Sequence, residues 1–309
     1  MKLDVSQIAN YNSWEIIEEI KHGWSKDTKY YIKDRMGHQF LLRISSIEEK
    51  KNKEKIYRII QSINELDFEM SKAIDYGMCN DFKNVYMLFS WVEGEPLENV
   101  IASIDEQKQF ILGVKAGQIL KKIHSVNVKQ IDIPKEDLAK KKLKKLKRYE
   151  DSRYRIPNDK RIIDYVKSNI QLINQSNPVY THGDFHIGNF IYLNKEDLGI
   201  IDFDRLNCGD RYEEFYKLQS FVIEKSIPFE IGQIKGYFEE NPPEIFWEVQ
   251  KVYVAHASLY SIEWASSYGQ DDINGMIERY KMAMKDYDDF KLLIPKWYTL
   301  NEEKFHIQR

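Results

Sequence analysis

Residues 180–205, YTHGDFHIGNFIYLNKEDLGIIDFDR, decide how the rest of the chain is interpreted. Two histidines, an asparagine and several aspartates surround two short apolar runs, in a chain with 7 histidines in all. The apolar runs predict neighbouring short strands, so the polar side chains at their ends converge on one spot. Three kinds of site fit such a cluster: a metallo-hydrolase, a histidine–aspartate pair that activates a nucleophile, and a site for phosphoryl transfer.

The spacing of the polar residues favours the third kind of site. A zinc hydrolase would bind its metal through His182 and His186, but it needs a further soft ligand, and no other histidine lies in a comparable turn. An activated nucleophile needs Ser or Cys in a strained turn such as GxSxG, which the sequence lacks. Phosphoryl transfer needs an Asp that accepts the hydroxyl proton and a later Asn and Asp that hold magnesium. Asp184, Asn189 and Asp202 have that spacing.

The composition is that of a globular chain with room for one large domain or two lobes. The 309 residues are 42% hydrophobic and 31% charged, with a net charge of -3. So small a charge predicts no general affinity for nucleic acid or membranes. Cys79 and Cys208 lie far apart and outside any CxxC pattern, which fits a reducing cytoplasm better than a disulfide framework. No export signal or membrane span is recognisable, so we expect a cytoplasmic protein.

The first 90 residues predict an antiparallel sheet with one helix. Three segments are short, aromatic or β-branched, and separated by turn-forming residues; they are WEIIEEI, TKYYIKD and HQFLLRIS. The isoleucines of the stretch KIYRIIQSI then recur at helical spacing. A last strand, NVYMLFSWV, precedes Gly94 and Pro96, which break regular structure. These features predict an N-terminal lobe over 1–89, a hinge over 90–96 and a C-terminal lobe over 97–309.

After the hinge the sequence predicts helices. The stretch that follows Asp105 has apolar residues at helical spacing, and Asp105 itself is a helix-capping residue. The basic stretch 140–148 interleaves leucines with its charges, so we interpret it as a solvated helix face rather than a nucleic-acid patch. Aromatic-rich helices follow from residue 205. The predicted outline is a small β-rich lobe and a large helical lobe.

The motif HGDFHIGNF, followed by IIDFD, resembles the HGDxHxxN motif and downstream metal-binding Asp of the aminoglycoside phosphotransferase family, relatives of the protein kinases. Similarities in LLRIS, FSWVEGEPL and GDRYEEFYKL extend the resemblance over most of the chain. It implies a bilobal, protein-kinase-like α+β fold with a small antiparallel β-rich N-lobe and a larger, mainly helical C-lobe. It also implies Mg²⁺, ATP or GTP as phosphate donor, and transfer of the γ-phosphate to a hydroxyl of a small molecule.

The resemblance assigns roles to individual residues. Asp184 matches the catalytic aspartate that orients and deprotonates the acceptor hydroxyl, and Asn189 and Asp202 match the magnesium ligands. Ser25 lies in the turn that covers the phosphates, and Arg43 lies where kinases have a phosphate-binding lysine. The connector expected to bind the purine consists of Ser90, Trp91 and Val92.

Other residues of the motif are expected to support the loop. His182 and His186 are expected to bond the loop backbone or the catalytic aspartate rather than substrate. Gly183 is expected to adopt a conformation that other residues resist. Asp204 stands where protein kinases have a glycine, and is expected either to contact the metal through water or to hold the loop.

The sequence departs from protein kinases at Arg43. Arginine binds phosphate bidentately, so we expect phosphate binding. Its acidic partner stays open, because Glu54 follows too closely in the sequence and Arg58 occupies the later position where the acid is expected. A nucleotide-binding protein without turnover is therefore the alternative from another class, and the intact motif favours the enzyme.

The acceptor is expected to bind to the helical C-terminal region, which is mildly acidic. Carboxylates among aromatic walls suit a polycationic amino sugar, so an aminoglycoside is the first candidate, as in kinases of antibiotic resistance. Macrolides, choline-like amines and amino-sugar metabolites are the alternatives. No obligate protein partner is predicted. The candidate substrate residues are Glu213, Glu214, Glu239, Glu240, Glu263, Trp264 and Asp271.

Overall fold

A computed structural model of the protein describes residues 4–21, 26–194, 196–239 and 241–307. The chain divides into two compact units. The first consists of Met1–Glu95 and Asn189–Leu206, and the second of Pro96–Gly188 and Asn207–Arg309. The segment Asn189–Leu206 thus belongs to the first unit, whereas the sequence prediction placed it in the lobe 97–309.

The first unit is built on an antiparallel sheet with one helix, as predicted. In chain order the elements are β1 (Trp14–Ile20), β2 (Thr28–Asp34), β3 (Gln39–Ser46), α1 (Lys50–Ile63), β4 (Glu69–Met70), β5 (Ala73–Cys79), β6 (Asn84–Ser90) and, at the unit boundary, β7 (Glu95–Pro96). The five-stranded sheet has the strand order β1-β2-β3-β6-β5.

The alternation of side chains along β3 decides what its two faces contact. Leu42 and Ile44 point into an apolar cluster with Tyr30 and Ile32 of β2. Leu41 and Arg43 point to the opposite face, where they line a cavity together with the α1 side chains Ile56 and Ile60. Since successive side chains of a strand face opposite ways, Arg43 is directed toward α1 and away from the apolar cluster.

The second unit contains most of the helices. Its elements are α2 (Leu97–Val100), α3 (Glu106–His124), α4 (Leu138–Glu150), α5 (Lys160–Asn169), β8 (Val179–Thr181), β11 (Asn207–Gly209), α6 (Ile227–Phe238), α7 (Glu244–Ala265), α8 (Gln270–Asp286) and α9 (Lys296–Thr299). Between β8 and β11 the chain forms β9 (Phe190–Leu193) and β10 (Asp197–Ile200) of the first unit. Among the described residues, every helix is too short or too polar to cross a membrane.

Asp105 caps α3 as predicted: its carboxylate accepts a hydrogen bond from the Lys108 N–H at 2.9 Å. An N-cap of this kind satisfies a backbone donor at the helix start that has no partner within the helix. The long helix α7 contributes to an apolar core that also contains side chains of α4, α5 and α8. The leucine spacing in the basic stretch therefore reports a packed face of α4.

Glycines allow α3 and α6 to approach each other closely. A Cβ added to Gly113 would lie 2.0 Å from the Phe229 carbonyl oxygen, and one added to Gly117 would lie 2.1 Å from that of Gln233. Gly236 of α6 faces α3 in the same way. The two backbones are thus in contact along both helices, which leaves no space for a methyl group.

We predict that Gly113→Ala destabilises the protein by about 1–3 kcal/mol or more, because the new Cβ can be accommodated only if the two helices separate. The matched control is Gly275→Ala in α8, where the nearest atom lies 3.6 Å away on the flexible Arg279 side chain. Alanine is the better helix former by about 1 kcal/mol, so the control is expected to be slightly stabilised. Urea unfolding of both variants measures the difference, and equal shifts of the two midpoints would contradict the prediction.

Candidate active site

The β9–β10 hairpin places two residues of the predicted metal site side by side. Phe190 pairs with Ile200 across the hairpin, and the Ile201 N–H donates to the Asn189 carbonyl oxygen at 3.0 Å. Asn189 and Asp202 therefore flank the same end of the hairpin. Asp202 has φ 63° and ψ 59°, a left-handed conformation that is uncommon for residues other than glycine. Strained backbone of this kind concentrates at functional sites.

Arg43 contacts three carboxylates. Its Nε lies 3.2 Å from Asp27, its Nη1 2.7 Å from Asp202 and its Nη2 2.9 Å from Asp204. The residue is 3% exposed. Burial alone lowers the pKa of Arg43, but Asp202, Asp204 and Asp27 outweigh burial and leave that pKa raised. The acid that the sequence analysis left open is therefore not Glu54, which is exposed on α1.

Lys53 is a second buried cation at this place. Its Nζ lies 2.7 Å from Asp27 and 2.5 Å from Asp204, and the residue is 5% exposed. Burial raises the pKa of Asp27, but Arg43 and Lys53 outweigh that effect and leave it lowered. Asp204 thus holds the loop after β10, which is one of the two roles predicted for it.

The sequence analysis missed Lys53 and Asp27, although a signal for Lys53 was present. Lys53 precedes Ile56 by three residues and Ile60 by seven, so it lies on the buried face of α1. A lysine in the apolar stripe of a helix indicates a buried carboxylate partner. Asp27 gave no comparable signal, because a turn aspartate before a strand is common.

Two of the three connector residues already donate their backbone N–H to other residues of the protein. The Ser90 N–H donates to the Lys72 carbonyl at 2.9 Å, and the Trp91 N–H donates to the Gln39 carbonyl at 3.0 Å. These two amides are therefore not available as donors to a purine. Trp91 packs edge-on against Tyr31, with ring centroids 5.0 Å apart. Val92 is buried. Ser25 lies outside the described residues.

Asp184 is held on its loop by neighbouring polar groups. Lys217 Nζ donates to Asp184 Oδ1 at 2.6 Å, and His186 Nε2 lies 3.4 Å from the same oxygen. The Asp184 N–H lies 3.2 Å from His182 Nδ1, which accepts from it. The Gly188 N–H donates to His186 Nδ1 at 3.1 Å. Both histidines thus bond the loop, as the sequence analysis expected.

Lys217 was not predicted, because nothing in the motif points to it. It lies in YEEFYKL, outside the HGD stretch, and comes to Asp184 only through the fold. Lys217 is 5% exposed. Its Nζ also lies over the rings of Tyr216 and Phe221, at 5.3 Å from each centroid. Contacts with two aromatic rings and with a carboxylate hold this buried ammonium group in a defined position.

Glu214 also supports this loop. It is buried, with 2% of its surface exposed. Its Oε1 accepts from the Gly183 N–H at 2.8 Å, and Gly183 has φ 81°, the conformation predicted for it. Burial raises the pKa of Glu214 to about 7, although the Gly183 hydrogen bond lowers it. A carboxyl so placed faces the loop backbone, which counts against the predicted contact with substrate.

Three other predicted substrate carboxylates, Glu213, Glu263 and Glu239, are engaged in ion pairs. Glu213 accepts from Lys142, and Glu263 Oε1 accepts from Arg148 at 2.7 Å. Lys142 is buried, so the interpretation of 140–148 as a solvated face is wrong for this residue. Glu239 at the end of α6 pairs with Lys121 at 2.7 Å and is exposed.

The remaining described candidates are Trp264 and Asp271. Trp264 packs against Tyr268, with ring centroids 4.7 Å apart, and against the apolar core. Asp271 is exposed in the first turn of α8. Glu240 lies outside the described residues. Among the described members of the predicted set, Glu213 and Glu263 both pair with cations of the same element, α4.

The sequence model of the phosphotransferase enzyme family matches residues 16–246. The protein belongs to this family, and in class it is a nucleotide-dependent small-molecule kinase. No curated protein sequence matches the chain.

Solved structures with the same fold include enzymes that act on different acceptors. An amicoumacin kinase in complex with AMP-PNP and Ca²⁺ has 15% identity and a TM-score of 0.66, covering 92% of both chains. The GDP complex of an aminoglycoside 2'-phosphotransferase has 16% identity and a TM-score of 0.67, covering 88% of this chain and 93% of that one. A Plasmodium vivax ethanolamine kinase has 16% identity and a TM-score of 0.59, covering 90% and 84%. The predicted protein-kinase-like fold is confirmed.

We predict that Glu214→Gln makes stability less dependent on pH, because glutamine keeps an acceptor for the Gly183 N–H but does not titrate. A folded-state pKa of about 7, above the ordinary 4.5, favours the protonated form in the folded protein. The contribution of protonated Glu214 to the stability of the folded protein is therefore complete below pH 4.5 and is lost as pH rises through about 7. The wild type should lose up to roughly 3 kcal/mol more than the variant over this window, at about 1.4 kcal/mol per pKa unit.

Urea unfolding between pH 4 and 8.5 measures this difference. Glu278→Gln is the control, since Glu278 is an exposed glutamate on α8. If the stability difference between wild type and Glu214→Gln stays constant over the whole series, Glu214 does not titrate as stated.

Proposed function

We propose that the protein transfers the γ-phosphate of ATP or GTP to a hydroxyl of a small molecule, with Asp184 as the base that accepts the hydroxyl proton. The contact between Asp184 and Lys217 at 2.6 Å carries this proposal. It supplies a positive charge beside the base, and it leaves the carboxylate in one orientation, as proton transfer requires. Gly183, Glu214 and His182 fix the backbone that presents the base.

The nucleotide side of the reaction is assigned to the first unit. The donor set at the hairpin end consists of an amide and a carboxylate oxygen, which are hard ligands that suit Mg²⁺. The Asp202 side chain is 41% exposed, so a metal could reach it. We propose that Asn189 and Asp202 hold the ion, which when bound neutralises charge on the phosphates. Arg43 is the proposed phosphate-binding cation, with a planar guanidinium suited to phosphate oxygens.

We predict that Asp184→Asn lowers kcat by about 10²–10⁴-fold, the usual contribution of general acid–base catalysis, while the KM for the nucleotide changes little. The measurement is transfer of labelled γ-phosphate, from ATP and from GTP, to acceptors found in a panel of aminoglycosides, macrolides, hydroxylated amines and hydroxylated acids. Asp288→Asn, an exposed aspartate paired with Lys291, is the control. Near wild-type turnover in Asp184→Asn would remove Asp184 as the base.

For the acceptor, we propose an aminoglycoside as the first candidate, which would make this a resistance-type kinase. Glu263 supports it: its Oε1 is paired with Arg148, while its buried Oε2 has no hydrogen-bond partner among the described residues. A buried carboxylate oxygen without a donor is costly, and an ammonium or hydroxyl group of the acceptor would satisfy it. Tyr260 and Trp264 on the same helix offer aromatic surface next to it.

Lys145 favours a second candidate class, acceptors that carry an acidic group. Its Nζ stands 4.9 Å over the Tyr260 ring, and within the described residues it has no carboxylate partner in an ion pair. Burial, and then the neighbouring Lys142, lower the pKa of Lys145 to about 8. An anionic group on the acceptor would supply the negative charge that this half-buried cation lacks.

The two classes predict opposite effects of two substitutions. For an aminoglycoside, Glu263→Gln should raise the acceptor KM about tenfold or more, in line with a hydrogen bond to a charged group, and Lys145→Gln should leave it unchanged. For an acidic acceptor, Lys145→Gln should raise the KM instead, and binding should weaken as pH rises through about 8. Lys144→Gln, on the exposed face of α4, is the control. If neither substitution changes the KM for any accepted compound, both assignments fail.

A further inference from the structure

We infer that Lys53 and Asp27 are positioning residues of the nucleotide site, and that together they replace the helix glutamate of the protein kinases with charges in reversed places. In protein kinases the strand cation is paired with a glutamate on the following helix, and this pair must form for activity. Here the following helix, α1, presents a lysine, and the carboxylate comes from the residue before β2. The inference rests on the proposed function of Arg43.

The burial of Lys53 separates it from the other lysines of α1. Lys51 is exposed, whereas Lys53 is 5% exposed and faces the same side as Ile56 and Ile60. Moving an ammonium group out of water costs several kcal/mol unless carboxylates compensate for the lost hydration. Two carboxylates do so here, at 2.7 Å and 2.5 Å.

Asp27 and Asp204 each bridge the two cations. Asp27 accepts from Arg43 Nε and from Lys53 Nζ, and Asp204 is in contact with Arg43 Nη2 and Lys53 Nζ. The four side chains form a closed ring of alternating charge, to which Arg43 Nη1 adds Asp202 at 2.7 Å. Removing Lys53 would take one positive charge out of this buried group and leave its carboxylates less compensated, with Arg43 and the neighbouring Lys29 as the cations that still interact with them.

The ring has a consequence for Arg43. The nitrogen that contacts Asp202, Nη1, is not one of the two that the ring uses. Arg43 can therefore give up Asp202 to a metal and direct Nη1 to a phosphate oxygen while Asp27 and Asp204 keep the guanidinium in place. Lys53 acts through these two carboxylates, and it also ties α1 to the loop that carries Asp202.

The test compares substitutions of Lys53 in the full-length protein. Lys53→Met keeps the apolar stem and removes the charge, and Lys53→Glu installs the residue type of the protein kinases. We expect Lys53→Met to weaken binding of Mg²⁺ and a fluorescent ATP analogue about tenfold or more, and Lys53→Glu to weaken it further, because it adds a fourth carboxylate. The acceptor KM should not change. Lys51→Met on the exposed face of α1 is the control.

A charge-retaining variant separates positioning from mere packing. Lys53→Arg keeps a positive charge between Asp27 and Asp204 but changes the shape of the side chain, and it should retain most of the affinity that Lys53→Met loses. If Lys53→Met is too unstable to study, Asp27→Asn combined with Lys53→Met removes both members of one ion pair and should still bind the analogue more weakly than wild type.

Two results would overturn the inference. One is nucleotide affinity and kcat/KM equal to those of Lys51→Met in every Lys53 variant, with only the melting temperature lowered, which would make the ring purely structural. The other is nucleotide affinity in Lys53→Arg as weak as in Lys53→Met. A wild-type protein that binds neither ATP nor GTP would instead refute the proposed function, and the two failures are thus distinguishable.

Discussion

The buried guanidinium of Arg43 is the constraint on which the first unit depends. A charge at 3% exposure is tolerated only with carboxylates around it, and these come from two places in the sequence: Asp27 before β2, and Asp202 and Asp204 after β10. The same carboxylates hold Lys53 of α1. Sheet, helix and hairpin are therefore joined by one set of ion pairs, at the place where the nucleotide is proposed to bind.

In the second unit the supported group is a carboxylate, that of Asp184. As the proposed base, Asp184 has to stay accessible to a hydroxyl group. Its support comes from groups that bond its loop: His182 and Glu214 through the backbone, and Lys217 through the carboxylate. Burial raises the pKa of Glu214, although the hydrogen bond from Gly183, which has a left-handed conformation, lowers it. Lys142 and Arg148 of α4 form ion pairs with Glu213 and Glu263, two of the predicted substrate residues. The acidic surface expected from composition is thus a mixed one.

Local patterns predicted the elements well, since they depend on near neighbours. Short aromatic or β-branched runs between turn residues predicted β2 and β3, helical spacing predicted α1, and capping chemistry predicted the start of α3 at Asp105. The HGD motif predicted the loop conformation of Gly183 and the supporting role of His182. The substrate carboxylates were predicted from composition, which does not report pairing, and the structure shows Glu213 and Glu263 in ion pairs with cations of α4.

The sequence by itself determined the family, the fold class and the candidate triplet Asp184, Asn189 and Asp202, because motif spacing records chemistry that is local in the chain. Only the tertiary structure decided which charges meet. Asp27 and Asp204 are 177 positions apart along the chain, yet both carboxylates lie within 2.7 Å of the Lys53 ammonium group. Ion pairing depends on distance in space and on burial, and neither is encoded in the spacing of residues along a sequence.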